Sequence, residues 1–198
     1  MTRNVIPVPH FNGKTVAYSL TGSSSHAALL ALIAQYKLTA KPTSTGNIAS
    51  TITQTMSGQV DVGFGAAPFG LNLVEEGKIR IVATGSDVAS LRTRTVRVNL
   101  TNVDTLQKRH DAIVRFNRAY QETVAWMYSD PAALKIYGEY SKLPEKIVLR
   151  VRQLIPEANL ATGRVEGMDQ IMADAVAGKF IPAPLSAEQL KELVQIPK

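Results

Sequence analysis

The run from Gly13 to Gln35 constrains the fold more than any other part of this chain. Thr15 to Leu20 has the β-branched and aromatic content of a buried strand. Gly22-Ser-Ser-Ser-His26 is a short polar turn, and Ala27 to Ala34 is rich in strong helix formers. A strand that turns through one glycine and three serines straight into a helix puts several backbone N–H groups without intrahelical partners at the turn. The helix dipole adds partial positive charge there. Gly22 lets a ligand approach the backbone, and the serine hydroxyls can cap the helix or donate outward. An ordinary N-cap accounts for one serine, and the run lacks the lysine and the spacing of a phosphate loop.

The rest of the chain repeats this grammar. Lys37 to Pro42 carries it back, and Thr43-Ser-Thr-Gly46-Asn47 opens a second helix with Ile48, Ile52 and Met56 on one face. Gly58 closes that helix, and Gln59 to Gly65 reads as a short strand ending in glycines. Pro68 is suited to the first position of a helix through Leu71, Leu73 and Val74, and Ile79 to Thr84 reads as the next strand. Strands alternating with helices predict an α/β fold with a mainly parallel sheet flanked by helices. Before this, residues 1–12 form a lead-in that Pro7 and Pro9 keep irregular. After it, Val96 and Val98 alternate with polar residues over Arg94 to Leu100, as in a half-exposed strand or a connection.

From Asn102 onward the pattern is helical. A helix from about Arg109 to Tyr128 is expected to bury Ile113, Phe116, Tyr120, Val124 and Met127, with Trp126 in core or inter-lobe packing. Asp130-Pro131 and Pro144 each start a further helix. Pro156 to Gly163 is a loop, Arg164 to Val176 a helix, and Ser186-Ala-Glu-Gln189 a capping box opening the last short helix. The boundaries are therefore 1–12 for the lead-in, 13–100 for an α/β ligand-binding lobe with its return crossing, and 101–198 for a helical C-terminal region.

Composition excludes several chemistries. Cysteine is absent, which removes disulfides and thiolate sites, and His10, His26 and His110 lack metal-ligand spacing. No metal and no cofactor are expected. Most of the net charge of +6 resides in the first half, where residues 1–100 carry nine Lys and Arg against four Asp and Glu. No basic run with interleaved aromatics accompanies it, so nucleic acid is not an expected partner; Arg92, Arg94 and Arg97 read as a solvated edge. No run approaches a membrane span, and Met1 to Pro7 is not followed by the apolar stretch of a signal peptide.

At Gly13-Lys-Thr-Val-Ala-Tyr-Ser, Gly22-Ser-Ser-Ser-His26, Ser57-Gly-Gln-Val-Asp-Val-Gly63 and Pro182-Ala-Pro-Leu-Ser186 the chain resembles the NitT/TauT (NMT1/THI5-like, SsuA/TauA-type) solute-binding proteins of ABC importers. The resemblance implies a periplasmic-binding-protein-like type II lobe with a helical C-terminal region. It also implies a preceding segment that builds most of a first lobe, an export signal outside this sequence, and a periplasmic or cell-envelope location. It places a small solute such as a sulfonate, nitrate, carboxylate or pyrimidine against Ser23, Ser24, Ser25 and His26. Thr45, Gly46 and Asn47, with Phe64, Gly65, Ala66 and Pro68, complete that site. The implied partner is an ABC permease in the membrane, and a homo-oligomer is expected through surface left open by the absent lobe segment.

Three function classes follow. The leading one is a binding protein without turnover. An enzyme of pyrimidine (thiamine precursor) or menaquinone-type biosynthesis shares the fold, but His26 has no carboxylate partner nearby in sequence, and whether Asp61 approaches it is a matter for the fold. An effector domain of a transcription regulator would need a DNA-binding unit upstream.

Overall fold

The computed structural model describes residues 11–92, 94–95 and 97–196. The expectations for Pro7, Pro9, His10 and Val96 fall outside them. Contacts divide the chain into two units. The first comprises the described residues through Arg94 together with Gly167–Pro184, and the second Thr95–Glu166 with Leu185–Lys198.

The first unit is built on a three-stranded parallel sheet in the order β2-β1-β3, with β1 at Thr15–Tyr18, β2 at Lys41–Ser44 and β3 at Val62–Gly63. The strand that comes first in the chain is the central one, and Val16, Ala17 and Tyr18 are all buried. Parallel pairing requires crossovers, and helix α1 (Ser24–Tyr36) and helix α2 (Ile48–Met56) supply them. They lie on opposite faces. Val16 and Tyr18 join Leu29 and Leu32 of α1 in the main core, with Phe11, Leu38 and Val88. Ala17 and Gly63, paired in register, face the other way, and a Cβ on Gly63 would lie 2.3 Å from Thr55 Oγ1 and 2.8 Å from the Thr51 carbonyl of α2. Small residues on that face let α2 pack directly on the sheet.

Three expectations are corrected here. Lys41-Pro42-Thr43-Ser44 is a strand rather than a return loop; it lies at the sheet edge, where proline's missing N–H is tolerated. Residues 80–84 form no ladder, although Val82 and Ala83 pack on the core, because side-chain burial does not require pairing. Pro68 lies in a turn, accepting the Leu71 N–H, and helix α3 starts only at Leu71 (Leu71–Glu75) behind Gly70 in a left-handed conformation. Helix α4 (Ala89–Arg92) is clipped to α1 by Gln35, whose amide accepts from the Ala89 N–H and donates to the Asp87 carbonyl.

Within the same unit, helix α9 (Met168–Ala177) starts after Gly167 rather than at Arg164. It is tied down by Asp174, which pairs with the nearly buried Arg94 at 2.5 Å.

The second unit is helical: α5 (Val103–Lys108), α6 (His110–Ser129), α7 (Pro131–Ser141), α8 (Glu145–Leu154) and α10 (Ala187–Leu193). Asp130 caps α7 through the Ala132 N–H with Pro131 at N1, and Ser186 and Gln189 form the expected capping box. Its buried apolar residues are Ala133, Leu134, Ile147 and Val148, all from the α7–α8 pair. The expected burial along α6 is not found. Phe116 is 58% exposed and Trp126 39%, with the indole N–H donating to Asp130, while Ile113, Val124 and Met127 are only half-buried. The Thr95 N–H donates to the Glu166 carbonyl, and the Glu166 N–H returns to Thr95 Oγ1. Of the two readings for this stretch, residues 97–100 follow the connection rather than the strand, with Val98 and Leu100 exposed.

Candidate functional site

Three turns leave the carboxyl ends of the three strands: residues 19–23 after β1, 44–47 after β2 and 64–68 after β3. In a parallel sheet whose order reverses at β1, with helices on opposite faces, the crevice outside these ends is where ligands bind. The first two turns are sewn together. The Ser19 carbonyl accepts from the Gly46 N–H at 2.9 Å and from the Ser44 hydroxyl at 2.9 Å, and the Tyr18 carbonyl accepts from both the N–H and the hydroxyl of Thr45. The third is held by the Phe64 N–H donating to the Ala17 carbonyl, and by Thr51, fully buried, whose hydroxyl bonds the Phe64 carbonyl at 2.6 Å.

Both helices that start here are capped by side chains. Ser23 caps α1 by accepting from the His26 N–H, and Asn47 caps α2 by accepting from the Ser50 N–H. The N–H groups of Ser24, Ser25, Ile48 and Ala49 find no acceptor among the described residues. Neither first turn carries an acidic side chain. Two helix N-termini thus present donors and partial positive charge at one end of the sheet, with no carboxylate in either first turn to compete for them.

Besides the Ser23 cap, the serine hydroxyls bond one another. Ser25 is 1% exposed, and its hydroxyl lies 2.8 Å from the hydroxyls of both Ser19 and Ser23, which are themselves 3.1 Å apart. The Ser19 N–H also donates to Ser25. Three hydroxyls closed on one another brace the turn. Ser24 alone of the three consecutive serines is exposed.

His26 stacks on Tyr18, ring centroids 4.2 Å apart and nearly parallel, and its other neighbour is Phe180, tilted at 5.4 Å. Its Nδ1 accepts the Gly22 N–H at 3.2 Å. Burial lowers its pKa from the usual 6.5. Asp61 is not its partner: it sits at the start of β1, bonded to the N–H and hydroxyl of Thr15 and to Lys14. Those bonds hold its pKa down at about 2.

The structure therefore brings Ser23, Ser25, Thr45 and Gly46 into one hydrogen-bonded cluster, with His26 joined to it through Ser23. Asn47 heads the adjacent helix. Phe64 is half-buried beside the sheet, Gly65 is exposed, and Ala66 and Pro68 are half-buried in their own turn. Phe69, next along the chain, is 58% exposed. Sequence reasoning missed Ser19, the hub of the cluster, because it was read as part of the strand. It also missed Phe180, which follows a left-handed Lys179 far along the chain.

The whole chain is similar in fold to solved structures. It superposes on the periplasmic aliphatic sulphonate binding protein SsuA from Escherichia coli with a TM-score of 0.70 and 17% identity, covering 98% of this chain and 63% of that one. Against the alkanesulfonate-binding protein SsuA from Xanthomonas axonopodis pv. citri bound to MOPS, the TM-score is 0.69 with 19% identity, covering 90% and 62%. The chain thus spans less than two thirds of the length of either. These likenesses establish the fold as α/β of the periplasmic-binding-protein type. No curated protein sequence matches the chain significantly. The family model described as NMT1/THI5 like matches residues 3–134, most of the chain, and the protein belongs to that family.

Proposed function

We propose that this chain is the solute-binding part of an ABC importer, holding a small organic or anionic solute at the carboxyl end of its sheet for delivery to a membrane permease. The observation that carries the reading is the pair of helix starts, α1 and α2, with four N–H groups lacking acceptors among the described residues and no acidic residue in either first turn. Backbone donors of Ser24 and Ser25 bind the solute, with His26, Thr45, Gly46 and Asn47 around it. Phe64, Gly65, Ala66 and Pro68 form the far wall. The two structural relatives bind sulfonates by name, which supports a sulfonate or a similar oxyanion. The same reading carries a periplasmic or cell-envelope location.

Ser24 offers a clean test. It is the first helical residue, where proline is tolerated, and Ser23 before it has φ −74° and ψ 165°, the geometry proline requires of its predecessor. Ser24→Pro removes one proposed donor and leaves the helix standing. Calorimetric titration with an alkanesulfonate, taurine, nitrate and a pyrimidine should find one solute that binds. Its affinity should fall in the variant by about 1–3 kcal/mol, with the melting temperature unchanged. Equal affinity in both proteins removes the α1 start from the site. Solute recovered unaltered supports a carrier, whereas a stoichiometric product points to the biosynthetic enzyme reading on this fold. The exposure of Phe116 and Trp126 supports self-association as well, which light scattering checks directly: a monomer at micromolar concentration ends that part of the proposal.

A further inference from the structure

The start of α1 is wired like a capping box with two changes, the acceptor's chemistry and the donor's position. In a capping box the N-cap hydroxyl accepts from the N–H of the third helical residue, and that residue's carboxylate or amide accepts the N-cap residue's own N–H. Here Ser23 accepts from the N–H of His26, the third helical residue, at 3.3 Å, and the returning acceptor is an imidazole nitrogen, Nδ1, which takes the N–H of Gly22 at 3.2 Å. Gly22 itself sits at φ +82°. A glutamate or glutamine in that position stays an acceptor at neutral and mildly acidic pH. A histidine does not.

We propose that His26 is a pH-sensitive capping residue that keeps the Gly22 turn closed on α1 when neutral and releases it when protonated. The bond from Gly22 requires a lone pair on Nδ1, so the neutral ring carries its proton on Nε2. A proton arriving from water at Nδ1 turns the acceptor into a donor that faces another donor, and the contact is lost. The new cation also lies in the first turn of a helix, where the dipole opposes it.

The surroundings reinforce the neutral form. The ring stacks on Tyr18, whose hydroxyl is engaged with Thr21, and also contacts Phe180. Helix α1 holds no charged residue, and residues 19–23 hold none. From the segment that carries Phe180, Lys179 is exposed and Asp174 is committed to Arg94 and Gln170. Among the described residues no carboxylate is therefore placed to stabilise an imidazolium, and burial together with the Gly22 donor works against it. Because Ser23 and Ser25 share one hydroxyl cluster, release of Gly22 loosens the turn that positions the Ser24 and Ser25 N–H groups. The switch itself needs no solute.

An NMR titration of the intact, isotope-labelled chain tests it with no solute present, so its outcome and that of the solute-binding reading are independent. The His26 ring should titrate below the usual 6.5. The Gly22, Ser23 and Ser24 amides should shift with the same midpoint, the amides of Asn47 to Ser50 should not, and the Gly22 protection factor should drop roughly fivefold across the transition. His26→Asn, which keeps an acceptor that does not titrate, should abolish the pH dependence. His26→Phe, which keeps the stacking without the acceptor, should leave Gly22 poorly protected at every pH. A Gly22 amide that stays silent while the ring titrates overturns the proposal, as does a His26→Phe variant with full Gly22 protection; should either variant fail to fold, the wild-type titration alone decides.

Discussion

At the scale of single residues, chemically identical side chains in the Gly22 to His26 turn have unequal weight. Ser24 is exposed and its hydroxyl bonds nothing among the described residues, while the Ser25 hydroxyl is buried among Ser19, Ser23 and a backbone N–H. Ser25→Ala should therefore lower stability by about 1–3 kcal/mol, the penalty for leaving buried groups unpaired, and Ser24→Ala should stay within about 0.5 kcal/mol. Urea unfolding of the two variants checks this, and equal effects would mean that the hydroxyl cluster braces nothing. Asp61 gives a second residue-level expectation with its sign fixed by linkage. Its pKa is lowered from 3.8 to about 2, chiefly by the Thr15 N–H, then by the Thr15 hydroxyl and Lys14. The native state thus binds the proton less readily than the unfolded one. The stabilisation is complete above the unfolded value and disappears as the pH falls through about 2. Asp61→Asn should lower the urea midpoint near neutrality, and its gap from wild type should close on acidification over that window. A gap that persists at the acid end would show that the contact does not depend on charge.

At the scale of elements, several helix caps were legible because they are local. Asn47 before α2, Asp130-Pro131 before α7 and the Ser186-Gln189 box before α10 depend on neighbours within three residues. Replacing Asn47 by Ala should destabilise by about 1 kcal/mol, measurable by thermal unfolding. What escaped was pairing. The edge strand at Lys41 to Ser44 has little of the composition of a strand, and it exists because β1 offers a ladder partner; Ile79 to Thr84 has that composition and joins no ladder among the described residues. Gly63 was read as the glycine end of a strand, but its role is set by α2 above it. Gly63→Ala should destabilise by about 1–3 kcal/mol, because Thr51 and Thr55 are hydrogen-bonded in place and cannot recede freely. A neutral result would mean that α2 shifts on the sheet.

At the scale of the whole molecule, the two units differ in how much they bury. The first has a continuous apolar core around β1 and α1, whereas the second rests on Ala133, Leu134, Ile147 and Val148, and α6 contributes no buried residue. Ile147→Ala should remove about 2–5 kcal/mol from the second unit, a large fraction of what so small a core can hold. Native-state hydrogen exchange offers a readout unit by unit. Amides of α6 should exchange well before those of β1 and α1, and the substitution should accelerate α7 and α8 while leaving β1 unchanged. Protection in α6 equal to that in β1 would show that its half-buried stripe is better satisfied than its exposure implies.

Periodicity, glycine turns and caps in the sequence were enough to determine an α/β first part, a helical second part and the polar turns at which two helices begin. Each of these follows from interactions between residues a few positions apart, which composition and spacing encode directly. Only the tertiary structure decided that β1 is the central strand, that Ser19 is the hub of the candidate site, and that Asp61 belongs to Thr15 rather than to His26. It alone also decided that His26 meets Phe180, more than a hundred residues along the chain, and that α6 buries so little. The physical reason is the same in every case: a ladder partner, a buried hydroxyl's acceptor or a stacking ring is supplied by a segment distant in sequence, and no local pattern records which segment will arrive.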